Sequence, residues 1–250
     1  MGNRSEAGQT KVALITGGAR RIGAAITSRL HAGGMNVAVH YNTSRDDARR
    51  ICDTLNEARP ASAQAFEADL RDTAAIRELV AAVTNTFTRL DVLVNNASSY
   101  FATPLGGIDE AAYEDLMGTN LKAPLFLSQA SAPHLRQARG CIVNIADVYG
   151  FEPIVDHAVY CPAKAGLIML TRSLAVDLAP DVRVNAVAPG AILWPETAPD
   201  EAVRSEVLAK VPMGRTGHPA DIGEVVHYLV EDAHYVTGQV IKVDGGRAIG

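Results

Sequence analysis

The chain has 250 residues, and its 23 basic and 28 acidic side chains leave a formal charge of −5. With 48% apolar and 20% charged residues it has the make-up of a globular domain that buries a core without metal or disulfide staples. Mild acidity argues against nucleic-acid binding. No apolar run reaches the roughly 18 residues of a membrane-spanning helix. Cys52, Cys141 and Cys161 are too widely spaced for a disulfide framework or a zinc site, and the histidines show no metal spacing, so no metal is expected. The start, Met1 to Gln9, is polar and lacks the apolar stretch of a secretion signal, which points to a soluble, cytoplasmic protein. Residues 1–10 read as a flexible tail.

Short, nearly continuous apolar runs recur at Val12–Thr16, Asn36–His40, Ser62–Glu67, Val92–Asn95, Cys141–Ile145, Val182–Val187 and Gln239–Val243. They predict strands covered on both faces. Between them lie helical stripes, first Ile22, Ile26 and Leu30, then Ile76, Leu79, Val80 and Val83, and later an apolar pattern over Leu167–Leu178. About seven strands and six helices in alternation predict an α/β chain with a doubly wound parallel seven-stranded sheet and helices on both faces, one domain over residues 11–250. One stretch breaks the rhythm. From Pro189 to about Ser205 come Pro-Gly, three apolar residues, Trp194-Pro195, Pro199 and a cluster of acids, with Pro212 and Pro219 beyond. An irregular stretch of this length predicts a lid or substrate loop, at about 190–212.

Thr16-Gly17-Gly18-Ala19-Arg20-Arg21-Ile22-Gly23 follows the first strand and opens the first helix. That is the context a dinucleotide-binding turn requires. Glycines let the backbone approach the pyrophosphate, and the helix start supplies N–H donors. Arg21 departs from the usual glycine spacing. About 20 residues on, an acid would bond the ribose 2′-hydroxyl of NAD, whereas basic groups accommodate a 2′-phosphate. His40-Tyr41-Asn42-Thr43-Ser44-Arg45 contains no acid, and Arg20 and Arg21 stand nearby, so the segment reads as NADP-binding. A solvated turn with Ser44 as helix cap is the plainer reading, and both can hold together.

Tyr160 and Lys164 stand at i and i+4 on one helical face. A neighbouring ammonium favours phenolate and is expected to lower the tyrosine pKa from about 10, making a usable proton donor and acceptor. Asn95-Asn96-Ala97 after the fourth strand, Asn120 in the fourth helix and Pro189-Gly190 after the sixth strand complete a set of motifs.

In order and spacing these motifs resemble the short-chain dehydrogenase/reductase family over almost the whole chain. The resemblance implies that Tyr160 passes a proton to substrate, that Lys164 binds the nicotinamide ribose, and that Asn120 holds a water of the proton relay. It assigns Asp69, with Leu70, to the adenine; Asn96, Ala97 and Ser98 to the cofactor border; and Pro189, Gly190 and Ile192 to the nicotinamide end. Val243-Asp244-Gly245-Gly246 matches a later signature. It also implies a Rossmann fold and a homotetramer. Thirteen residues before the tyrosine, where the family places serine, stands Asp147. This aspartate, Arg21, and Asn95–Ser99 followed by Tyr100 are similar to pteridine reductases.

The subgroup likeness implies NADPH-dependent reduction of a dihydropterin, with dihydrofolate as a second candidate. Arg21, Ser98, Tyr100, Asp147, Tyr160 and Trp194 form the expected substrate set, with Asp147 catalytic beside Tyr160, Lys164 and Asn120. Phe101 is an alternative to Tyr100 for stacking on a flat ring. Two other readings stay open: an NADP-dependent carbonyl reductase of the same family, acting on an acyl-carrier or sugar substrate, and a nucleotide-sensing protein without turnover.

Overall fold

The computed structural model describes residues 10–193 and 200–249. Its strands are β1 (Val12–Ile15), β2 (Asn36–Tyr41), β3 (Ala63–Glu67), β4 (Val92–Asn95), β5 (Cys141–Ile145), β6 (Arg183–Pro189) and β7 (Val240–Val243). Each of the seven predicted strands is present; β4 and β5 match end to end, and the other five shift by at most two residues at an end. All neighbours run parallel, in the order β3-β2-β1-β4-β5-β6-β7. The order reverses direction between β1 and β4, and at such a switch point the loops leaving the two strands part and open a crevice.

Strand alternation divides the core into two layers. Ala13, Ile15, Val37, Val39, Val92 and Val94 face one side. There they pack on α1 (Arg21–Ala32), α2 (Arg45–Ala58) and α8 (Pro219–Glu231) through Ile26, Leu30, Cys52, Ile222 and Val226. Val12, Leu14, Leu93 and Ile142 face the other. Their partners are α3 (Thr73–Phe87), α5 (Ala123–Ala138) and α6 (Tyr160–Leu178), which bring Ile76, Val80, Val83, Leu127, Leu135 and Leu178. Leu14, Leu93 and Ile142 are wholly buried, so truncating any of them to alanine should cost about 2–5 kcal/mol.

The helix count exceeds the expected six because two segments were read too coarsely. α4 (Glu110–Met117) passes into α5 through a π turn, Gly118–Lys122, and Asn120 lies in that turn instead of in a regular helix. The second is α7 (Glu201–Ala209), which falls inside the stretch read as irregular. Its acids Asp200 and Glu201 sit where the positive end of a helix favours them, so the acidic cluster is a helix start and not loop. Trp194 and the tail residues 1–9 lie outside the described residues. Among the described residues no helix is long and apolar enough to cross a membrane, and no group of three metal-ligating side chains occurs.

Candidate active site

The turn between β1 and α1 is built on close backbone contacts. Gly17 has φ +59°, and a Cβ at Gly23 would lie 2.0 Å from the Gly17 carbonyl oxygen, so only glycine lets α1 begin this near the turn. Asn96 laces the turn to the loop after β4, its Nδ2 donating to the carbonyls of Thr16 at 2.8 Å and Gly17 at 3.1 Å. Thr16 Oγ1 accepts in return from the N–H groups of Asn96 and Ala97. Arg21 has φ +51°, a conformation usually left to glycine, which explains why a glycine might be expected at this position.

Two adjoining hollows follow. One, of about 360 Å³, is bounded by Gly17, Arg20, Arg21, Ile22, Gly23, Asn96, Ala97 and Ser98. The next, of about 190 Å³, shares Arg21, Ile22, Asn96 and Ser98 and continues to Asp147, Tyr160, Lys164, Pro189, Gly190 and Ile192. The fold therefore gathers the predicted glycine turn, the proton-handling residues and the segment after β6 along one cleft. No acid stands in the first turn of α1, whose N-terminal N–H groups and arginines suit an anionic diphosphate. A nicotinamide nucleotide fits these residues.

The other expected nucleotide residues divide into those near the surface and those beneath it. His40 is buried: its Nδ1 accepts the Gly17 N–H at 3.1 Å, and its Nε2 faces the Ala68 carbonyl at 3.1 Å. Those two bonds make it a brace between the glycine turn and the end of β3. Tyr41 packs in the core with its hydroxyl on Glu67. Leu70 is likewise a core side chain. Asp69 turns toward Arg71, whose guanidinium holds its carboxyl below the usual carboxylate range. Ser44 is at the start of α2 but makes no side-chain capping bond, while Asn42, Thr43 and Ser44 all lie at the end of β2.

At the catalytic end, the Tyr160 hydroxyl donates to Asp147 Oδ2 at 2.7 Å, and the Tyr149 N–H donates to Asp147 Oδ1 at 2.8 Å. Each carboxylate oxygen keeps a second acceptor direction. Burial raises the Asp147 carboxyl, against the pull of its hydrogen bonds and of Lys164. Lys164 Nζ donates to the Ile145 carbonyl at 3.0 Å and stands 5.7 Å from the Tyr160 ring centre. Burial brings its ammonium down to about 8. The expected lowering of Tyr160 does not occur in this arrangement. Burial first, and the Asp147 charge second, push the phenol strongly upward, so it rests as a proton donor.

Asn120 is held by three side-chain hydrogen bonds. Its Nδ2 donates to the carbonyls of Leu116 and Ser99, both at 2.9 Å, and its Oδ1 accepts the Ser98 hydroxyl at 2.7 Å. It thus fixes the loop that carries Ser98 and Tyr100. The Tyr100 ring lies edge-on to Tyr160 at 4.9 Å and stacks on His157 at 4.9 Å, whereas Phe101 has no such contact with Tyr160.

Three groups escaped sequence reasoning. Glu67 reaches the end of β2 only through strand register, which opposes it to Tyr41. His157 lies in the turn before α6, bridged to Thr103, and reaches Tyr160 and Tyr100 through that pairing and not through a helical spacing. Arg247, near the far end of the chain, donates to the Tyr149 hydroxyl at 2.9 Å, and no local signal announces that contact.

Fold, glycine turn and Tyr160–Lys164 pair together define a dinucleotide-dependent oxidoreductase. A family model described as enoyl-(acyl carrier protein) reductase matches residues 17–248, and the chain belongs to the short-chain dehydrogenase/reductase family, whose members use NAD(P)H. It is 38% identical over 279 aligned residues to pteridine reductase 1 of Leishmania tarentolae, covering 95% of this chain and 96% of that one. It is 37% identical over 241 residues to the 3-oxoacyl-(acyl-carrier-protein) reductase FabG of Staphylococcus aureus, with coverage of 95% and 98%. An uncharacterized oxidoreductase of Methylorubrum extorquens shares 36% over 242 residues, with coverage of 94% and 97%.

Proposed function

We propose that this chain is an NADPH-dependent pteridine reductase that converts a dihydropterin to its tetrahydro form. One observation carries the reading: Asp147, with spare acceptor directions, is hydrogen-bonded at 2.7 Å to the proton donor Tyr160 in a cleft that also holds Arg21 and Ser98. A pterin presents a row of N–H donors on its aminopyrimidinone edge. A carboxylate and a serine hydroxyl can read that edge, and the exposed Tyr100 ring beside Tyr160 offers a flat ring an aromatic face. The 38% likeness to a pteridine reductase supports the same reading.

Gly17, the start of α1, Asn96 to Ser98 and Pro189 to Ile192 would hold the nucleotide, and Asn42 to Arg45 with Arg20 its 2′-phosphate. When bound, reduced nicotinamide supplies a hydride to a carbon of the substrate ring. Tyr160 holds the proton that the adjacent ring nitrogen needs, and the same burial that raises its pKa keeps the proton in place until then. Asp147 fixes the hydroxyl and receives the substrate N–H groups. Lys164, anchored on Ile145, supplies a positive charge that stabilises Tyr160 as its proton leaves. Asn120 and His157 steady the loop and ring that bound the pocket.

The second reading, a 3-oxoacyl reductase, draws on the 37% relative and on Tyr160, Lys164 and Asn120, which serve either chemistry. Asp147 weighs against it, because a second neutral donor facing a ketone oxygen would stabilise it, whereas an ionised carboxylate only accepts. Following NADPH oxidation with dihydrobiopterin, dihydrofolate and an acetoacetyl thioester separates the two. Turnover with a dihydropterin and none with the thioester is the expected result; the reverse pattern overturns the proposal.

A further inference from the structure

We infer that Glu67 sets how strongly the chain favours a 2′-phosphorylated nucleotide, by competing with the phosphate for Arg45. The inference rests on the NADPH reading. The sequence segment 40–45 holds no acid, but the fold brings one to it. β2 and β3 pair with Tyr41 opposite Glu67, so both side chains leave the sheet on the α2 face. Arg45 is the first residue of α2. Its guanidinium pairs with Glu67 Oε2, which also accepts the Tyr41 hydroxyl at 3.1 Å. A second pair, Arg20 with Asp47 at 3.7 Å, joins the glycine turn to the first turn of α2.

A guanidinium fork that grips a carboxylate presents the same donors to a phosphate. Arg45 and Glu67 are about half exposed, so their pair is weak and can open to exchange partners. While it is closed, Glu67 neutralises the cation; once a phosphate takes Arg45, the freed carboxylate lies close to a dianion and repels it. A nucleotide with a plain 2′-hydroxyl asks nothing of Arg45, so Glu67 is indifferent to it. Glu67 is in this sense a specificity-determining residue that acts through Arg45 and lowers a preference that Arg45 creates.

The test needs no turnover. Calorimetry on the purified protein measures 2′,5′-ADP and 5′-AMP binding to wild type, Glu67→Gln, Arg45→Gln and the double variant, with NADPH and NADH fluorescence titrations alongside. Glutamine keeps an acceptor for Tyr41, and both positions are exposed, so folding should be unaffected. Glu67→Gln should tighten 2′,5′-ADP and NADPH by about three- to tenfold, the worth of one nearby exposed like charge, and leave 5′-AMP and NADH unchanged. Arg45→Gln should weaken the phosphorylated ligands by about tenfold or more. The Glu67→Gln gain should vanish in the Arg45→Gln background. Weaker or unchanged 2′,5′-ADP binding in Glu67→Gln overturns the inference, as does a gain that survives loss of Arg45. The NADPH reading fails separately, if wild type binds 2′,5′-ADP no tighter than 5′-AMP; Glu67 keeps its assigned role in that case only if Glu67→Gln creates the preference.

Discussion

The Tyr160 hydroxyl donates a hydrogen bond to Asp147 Oδ2 at 2.7 Å, across the two ends of the loop that joins β5 to α6. Tyr160 is buried and Asp147 half-buried, and their effects on each other are unequal: the carboxylate disfavours a phenolate, whereas the tyrosine hydrogen bond favours the carboxylate against the burial that raises it. The phenol therefore holds its proton tightly, and on the proposed reading it would give it up as the substrate nitrogen gains negative character.

If Asp147 reads the pterin edge, each charge-assisted hydrogen bond is worth about 1.5–3 kcal/mol. Asp147→Asn should therefore weaken dihydropterin binding by roughly ten- to a hundredfold, and Asp147→Ser by as much or more. Both should keep NADPH affinity, since the glycine turn is braced by Asn96 and His40 and not by Asp147. Dihydropterin titrations beside NADPH titrations check this. Wild-type dihydropterin affinity in both variants would reduce Asp147 to the turn cap that its bond to the Tyr149 N–H already makes it.

Tyr160→Phe removes the proton donor and should lower turnover by about 10²–10⁴ with NADPH binding retained. The Lys164 ammonium is brought to about 8 by burial, so it is charged below that pH and neutral above it. A step that needs its positive charge should lose rate as pH rises through about 8, visible in kcat/KM for the dihydropterin. A profile flat from pH 7 to 9.5, with chemistry rate-limiting, contradicts that role.

The legible parts of this molecule are those governed by local rules. Seven apolar runs were readable as strands because a parallel sheet covered on both faces demands them, and the βαβ rhythm set their order. Gly17, Gly23, Tyr160 and Lys164 were readable because a turn and a helical face fix their spacing. What escaped depends on register and on distant closure. Glu67 meets Arg45 only because β3 pairs with β2 at one register, and Arg247 meets Tyr149 only after the last strand has packed. The Tyr160 pKa ran opposite to expectation for a related reason: the pattern shows a lysine four residues on, but not how deeply both groups are buried.

His40 ties stability to pH. Burial brings its imidazole down to about 4 from the ordinary 6.5. Between those values the unfolded chain takes up a proton and the folded chain does not. The stabilisation is complete above 6.5 and is lost as pH falls toward 4, with a slope of up to about 1.4 kcal/mol per unit from this group. His31, also lowered by burial, adds in the same direction. His40→Gln should flatten the dependence of urea-unfolding free energy on pH between 6.5 and 4.5. An unchanged slope would mean that His40 does not stay neutral in the fold.

Arg21 lines the cleft from a backbone conformation better suited to glycine. At φ +51° an L-residue carries a local strain of about 1 kcal/mol or more. Arg21 lines both hollows, and on the proposed reading it would meet the nucleotide and the substrate alike. Two substitutions separate backbone from side chain. Arg21→Ala removes the guanidinium and keeps the strain, whereas Arg21→Gly removes both. The glycine variant should be more stable than the alanine variant by about 1 kcal/mol, even though glycine gives the unfolded chain more freedom. Both should bind NADPH and dihydropterin more weakly than wild type, to a similar degree. The measurements are chemical unfolding and ligand titration on the same three proteins. Equal stability of the two variants would show that the backbone angle is not strained, and wild-type affinity for both ligands would show that the guanidinium serves neither.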